Sequence, residues 1–371
     1  RARLKELKIK LRENLDELEA QLFECVGQKF NPRSPQQVSE ILYQKLSLPR
    51  PRSKTATATD EECLEYNRGR HEVIPLMQDY RGEHKNYSTY VVGLEKDIWD
   101  DERVHASYLL HGAVSRTSCK DPNVQNMPRE GPIKSMFIAP EGWEIFWPDF
   151  SQHEFRMVAI YSGDEWLKEV FNTDRSLHKE MAHDVYGPDY SDEDYVHTKN
   201  INFGLLFGRG AYSLSLQMKC SVREAQEKID EFYTRMPKVR PWQDEIIAAV
   251  FQGEDLISLL GRYRRFGLIT HENIKHVSNE VMNFYPQSTG SDTVLVAGAR
   301  VHTSGLYDAS WMRPIAFVHD AIGYYVKKGN RERLPKIIAE LERIPQEVLN
   351  TDVRMKVEAK IGDSWATLKD L

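Results

Sequence analysis

The chain has 371 residues, 40% hydrophobic and 29% charged, enough for two or three packed units and too apolar for an intrinsically disordered chain. No apolar run approaches the ~20 residues that span a bilayer, and the four cysteines (Cys25, Cys63, Cys119, Cys220) lie too far apart for a zinc knuckle or a disulfide framework. A soluble protein of a reducing compartment is expected, and the balance of 50 basic against 56 acidic side chains, net −6, leaves room only for a local basic groove.

Leu4, Leu7, Leu11, Leu15, Leu18 and Leu22 recur at spacings of three and four, which predicts a long amphipathic helix at the start. Residues 1–56 carry 12 basic and 7 acidic side chains, so a basic arm sits on an acidic protein. Within it, Pro49-Arg50-Pro51-Arg52-Ser53-Lys54-Thr55 cannot continue a helix, because prolines lack amide donors; it reads as a linker or as a phosphate-contacting tip. Residues 61–95 return to helical spacing, and 112–140 read as loop with short strands. Residues 143–148 form a bulky apolar run with a buried-strand signature that delivers Asp149 at its end. Helical periodicity dominates from 154 to about 258. Residues 314–318 and 321–326 read as a β-hairpin with His319-Asp320 at the bend, followed by a helix at 331–349 and a strand at 353–361.

Two patterns bear on chemistry. Asp149 and Asp320 each cap an apolar strand, and strand tips can hold two carboxylates within reach of one hard cation, although a lone aspartate there reads first as a turn or cap residue. Lys199, Phe203 and Phe207 recur every four residues on one helix face, with Gly204 and Gly208 leaving space beside the rings. A cation one turn before an aromatic suits a nucleotide; the alternative is an ordinary core stripe with a snorkelling lysine.

The motifs around these residues resemble those of family A DNA polymerases. Asp149-Phe150-Ser151-Gln152-His153-Glu154-Phe155-Arg156 resembles the first catalytic motif, DYSQIELR; residues 199–208, KNINFGLLFG, resemble the nucleotide-binding helix; Val318-His319-Asp320 resembles the third motif, VHDE. Residues 121–128 (DPNVQNMP), the turn Gly163-Asp164-Glu165, residues 261–265 (GRYRR) and, more loosely, Tyr285-Pro286-Gln287-Ser288-Thr289 match in family order along nearly the whole chain. The resemblance implies an α+β right-hand polymerase fold with an antiparallel β-sheet palm: thumb 1–95, first palm segment 96–165, fingers 166–276, second palm segment 277–371. It implies DNA-directed DNA synthesis, with Asp149 and Asp320 holding two Mg²⁺ ions that Mn²⁺ would replace. Lys199, Phe203, Phe207, His178, Glu154 and Gln152 would hold the incoming deoxynucleoside triphosphate. Arg50, Arg52, Lys54, Arg81 and Lys85 would grip duplex phosphates, and Arg116, Asn123, Gln125, Asn283, Gln287 and His319 would line the primer-template minor groove.

The same resemblance implies a monomer without membrane contact, open to accessory replication proteins, in bacterial or virus-infected cytoplasm or in an organelle. No proofreading or 5′-nuclease domain is expected within it. Three departures stand out: Tyr195 where the family has an arginine one turn before the lysine, Ala321 where it has the third-motif glutamate, and Phe150 for the first-motif tyrosine. Arg209 or Arg156 would be the substitutes for the missing arginine. Glu154 would exclude a ribose 2′-hydroxyl, which speaks against a single-subunit RNA polymerase. With Phe203 lacking a phenolic hydroxyl to hold that glutamate, the gate would rest on packing, and dideoxynucleotides would be discriminated against. A His-Asp phosphohydrolase would carry the His319-Asp320 pair on a helix, and a catalytically silent scaffold would not be expected to keep both aspartates and Lys199.

Overall fold

The structure is a computed structural model that describes all residues except 52–53, 56, 111, 113–115, 129–130 and 219. The chain divides into two compact units. Residues 1–107, 119–138 and 364–366 form the first, and the remainder, including the whole of 166–276, forms the second.

In the first unit the leucine stripe does what its spacing predicts. Helix α1 (Ala2–Val26) buries Leu4, Leu7, Leu11, Leu15, Leu22 and Val26 and packs against α2 (Val73–Lys85), which contributes Val73, Ile74, Met77 and Tyr80. Gly27, at φ 72°, closes α1 in the left-handed conformation that glycine adopts without a Cβ penalty. Polar bonds fix the pair in register: Tyr80 Oη donates to Glu19 at 2.8 Å and Asn14 Nδ2 to Glu83 at 2.6 Å.

The second unit is built on a five-stranded antiparallel sheet of β1 (Trp143–Phe150), β2 (Met312–Val318), β3 (Ala321–Lys327), β4 (Val357–Gly362) and β5 (Lys369–Asp370), in the order β2-β3-β1-β4-β5. β1 is central despite Pro148, which has no N–H to give the ladder. The β1–β3 pairing runs from Trp143↔Lys327 to Phe146↔Tyr324 and resumes only at Asp149↔Ala321. The gap falls opposite Gly323, where a Cβ would collide with the Trp147 ring. Phe146, Tyr324, Val326 and Ile361 form a core with residues of α10 (Ile274–Thr303) and α11 (Leu334–Leu349).

Between β1 and α10 the chain winds through α3 (His153–Ser162), α4 (Glu165–Asn172), α5 (Leu177–Tyr186), α6 (Asp192–Leu206), α7 (Ala211–Met218), α8 (Val222–Arg235) and α9 (Val239–Phe251). Side-chain caps start several of them. Asp164 accepts from Leu167 N at 3.1 Å, and Ser191 and Ser221 form reciprocal capping boxes with Asp194 and Glu224.

The hairpin expected at 314–326 is β2–β3, its two-residue bend formed by His319, at φ 56°, and Asp320. The strand expected at 353–361 begins at Val357 and is followed by the short β5, and the helix begins at Leu334 after a short 3₁₀ turn. α10 was not expected. It is buried on most sides and contains Pro286, so neither a 3.6-residue stripe nor clean helix-forming residues mark it.

Candidate active site

The sheet brings the two expected carboxylates together. Asp149 lies one residue from the end of β1, opposite Ala321 on β3 and Glu358 on β4. Phe150 N donates to Asp320 O at 3.1 Å, which ties the β2–β3 bend to the end of β1. Water reaches Asp149, yet protein surrounds it on most sides. This loss of hydration, with the charges of Asp320 and Glu358 added, pushes its carboxyl up to about 7; Lys199 and Lys360 oppose the shift. Among the described residues no group of three or more His, Cys, Asp or Glu side chains is placed to hold a metal. Two crowded hard-oxygen ligands fit Mg²⁺, which commonly takes one or two carboxylates and fills its other positions with water and substrate phosphate. Glu358, which accepts from Ser151 Oγ at 3.0 Å, was not anticipated; its sign in the sequence is only a place in the period-two pattern of β4.

Lys199 and Phe203 follow one another along the C-terminal half of α6, and Phe207 caps its end. Lys199 makes no hydrogen bond or ion pair among the described residues, and its charge acts on both Asp149 and His178. His178, on α5, is buried against Phe155 and Phe203, with ring centroids at 5.4 and 5.5 Å. Its Nδ1 faces Asn202 Nδ2 at 3.1 Å, while Nε2 has no partner among the described residues. Burial, and then Lys199, push this imidazole down to about 3, so it is neutral at physiological pH.

Beyond α6, Arg209 folds back over Gly204, where a Cβ would strike its guanidinium, and donates to Gln217. It lines a cavity of about 700 Å³ with Phe203, Phe207 and Lys275. Arg156 is buried and consumed by the carbonyls of Ser151 and Arg354 over the Phe171 ring, which corrects the expectation that it could replace the missing arginine. Tyr195, in that arginine's place, has its ring 6.4 Å from His178.

Glu154 is buried in the first turn of α3 and accepts from Arg116 Nη2. Two expectations change here: Arg116 is engaged with Glu154, and the glutamate is held by a charged hydrogen bond, not by packing alone. Gln152, at φ 52°, precedes α3, with its Oε1 buried and without a partner among the described residues. Asn283 and Gln287 share a face of α10, Gln287 Nε2 lying 3.5 Å from Asn283 Oδ1, and Asn283 bonds back to Asn279 O. His319 occupies the β2–β3 bend. The GRYRR motif is structural in part: Arg262 grips Asp292 of α10 with Nε and Nη2, and Arg264 reaches Glu280 at 3.2 Å.

In the first unit the expected phosphate-binding cations divide. Arg52 lies outside the described residues. Lys54 is clamped by Asp60 at 2.9 Å and Glu62 at 2.7 Å, and Arg81 donates to the carbonyl and hydroxyl of Thr59, so neither is the open cation the sequence suggested. Arg50 lies over the Tyr43 ring at 5.4 Å. Lys85 is exposed and lines a recess of about 640 Å³ with Arg33, Arg81 and His84. Arg33 was missed, because nothing in its local sequence distinguishes it from a solvated surface charge. Asn123 accepts from Gln125 N at 3.1 Å in a 3₁₀ turn, and Gln125 is buried.

Residues 1–367 match the family described as DNA polymerase family A. DNA polymerase I of Pseudomonas aeruginosa is 34% identical over 96% of the chain and 40% of its own length; that of Helicobacter pylori is 30% identical over 98% and 41%. The thermostable DNA polymerase I of Thermus aquaticus is 30% identical over the full chain and 46% of its own length. The chain thus spans less than half of each of these relatives. Among solved structures, the polymerase domain of Pol1 from M. smegmatis, in complex with DNA primer-template and dNTP, superposes with a TM-score of 0.89 at 26% identity, covering 98% of this chain and 66% of that one. The chain belongs to DNA polymerase family A, with its α+β polymerase fold.

Proposed function

We propose that the chain carries out template-directed DNA synthesis, in which a primer 3′-hydroxyl attacks the α-phosphate of a deoxynucleoside triphosphate. The observation that carries this reading is the convergence of Asp149, Asp320 and Lys199 at one end of the sheet: two carboxylates for divalent metal, and, for a polyphosphate, a cation without a partner among the described residues. Asp149 and Asp320 would hold two Mg²⁺ ions, which supply charge neutralisation and a more acidic hydroxyl. Lys199 attracts the triphosphate, His178 offers an uncharged imidazole in its buried setting, and Phe203 gives the sugar and base an apolar wall. Glu154 fills the space a 2′-hydroxyl would need. Primer extension with each triphosphate set, with and without Mg²⁺, tests the reading; metal-independent extension, or a preference for ribonucleotides, would reject it.

In this proposal the first unit contains the thumb, β1 to β5 belong to the palm, and the helices within 166–276 are the fingers. No helix among the described residues is long and apolar enough to cross a membrane. Duplex phosphates would meet Arg33 and Lys85 rather than Lys54, whose charge two carboxylates already satisfy. Replacing both Arg33 and Lys85 by Ala is expected to flatten the plot of log affinity against log salt by about 1.8, at ~0.9 for each phosphate that no longer meets a cation. Lys54→Ala is expected to change it little. Equal flattening by Lys54→Ala would return the phosphate-binding role to the 49–55 loop.

A further inference from the structure

A carboxylate as deeply buried as Glu154, whose side chain is 7% exposed, must be paired or give up its charge. The aromatic residues Phe203, on α6, and Phe207, at its C-terminus, have no hydroxyl to offer it. The partner is Arg116, whose Nη2 donates to Glu154 Oε1 while its side chain stays 41% exposed. One nitrogen of the guanidinium is therefore turned to the carboxylate, while part of the side chain stays open to solvent. A guanidinium carries five N–H donors in a rigid plane, so holding Glu154 does not exhaust it. Asp320 acts on the same guanidinium, which puts the pair beside the carboxylate centre.

We propose that Arg116 is a specificity-determining positioning residue: it holds Glu154 in the direction that excludes ribonucleotides, in place of an aromatic hydroxyl. The inference rests on Glu154 being the sugar gate. A charged hydrogen bond fixes both the ionisation and the orientation of the carboxylate. Without Arg116 nothing fixes the direction of the Glu154 side chain; it turns to water, and its bulk leaves the sugar. The donors of Arg116 that Glu154 does not use would serve minor-groove acceptors, so that one side chain would both meet the primer end and steady the gate.

The test is competition between ribo- and deoxynucleotide on one template, with primer-template affinity measured separately by fluorescence anisotropy. Glu154→Ala is expected to lose at least tenfold in discrimination. Arg116→Met should lose three- to tenfold and add nothing further in the Glu154→Ala background, as expected for residues acting as one unit. Arg116→Lys, which keeps the charge but not the planar fork and is the milder change for folding, should retain an intermediate ratio. If Glu154→Ala relaxes the ratio while the Arg116 variants alter only DNA affinity, the gate stands and the role of Arg116 is overturned. If Glu154→Ala leaves the ratio intact, the gate reading fails and the inference fails with it.

Discussion

Asn in place of Asp149 or Asp320 is expected to lower the primer-extension rate by a factor on the order of 10³ or more, while primer-template affinity changes far less. Phosphoryl transfer leaves little covalent chemistry to the protein, so most of the acceleration lies in positioning and in neutralising charge. An amide keeps the size of the carboxylate and removes the charge that recruits a divalent ion. The same substitution separates chemistry from folding. Asp149 has its folded-state pKa raised from 3.8 to about 7, so the native state binds the extra proton and stability falls as pH rises across that window. Above pH 7, in metal-free buffer, the uncompensated carboxylate costs the fold its full penalty, and Asp149→Asn removes it. Because water reaches the group, screening reduces the gain to about 1 kcal/mol. Below pH 4 both forms are uncharged and the gain disappears. The Asp149 variant should therefore be inactive and, in thermal melts without metal at pH 8, at least as stable as the parent. Near-normal extension by either variant would remove the metal assignment, and a loss of stability at pH 8 for Asp149→Asn would mean that the charge crowding at the sheet end has been misjudged.

Local patterns made part of this site legible. The α1 stripe, the β2–β3 hairpin and the strand carrying Asp149 all follow from hydrophobic spacing, which is a property of near neighbours in sequence. Asp320 meets Asp149 because β3 pairs with β1, and a pairing between strands so far apart in the chain leaves no local trace, so motif order had to stand in for it. Glu358 went unnoticed for the same reason: its importance lies in facing Asp149 from the adjacent strand β4. The cations were misjudged in the opposite sense. Lys54 and Arg81 looked free because a sequence shows charges and not their partners; Asp60, Glu62 and Thr59 satisfy them once the chain folds. Arg156 looked like a candidate triphosphate ligand, and Phe171 together with two carbonyls makes it part of the core. Burial and partners, not residue type, decide which charge is left for a ligand.

Lys199 is the charge that is left. On the Tyr195, Lys199, Phe203 face of α6 no other cation follows at helical spacing, and the imidazole beside it, pushed down to about 3, contributes a dipole and no charge at pH 7. Arg209 is turned to Gln217 over Gly204. Lys199→Ala therefore deletes a charge-assisted interaction worth roughly 1.5 to 3 kcal/mol, and apparent nucleotide affinity should fall by about ten- to a hundredfold. Lys199→Arg, which keeps the charge, should recover most of that affinity. Because His178 stays neutral, nucleotide affinity should show no step near pH 6.5 that His178→Gln removes. Single-turnover extension across a range of triphosphate concentrations separates affinity from rate. Unchanged affinity in Lys199→Ala, with a fall in Lys275→Ala, would move the triphosphate to the cavity that Arg209 and Lys275 line.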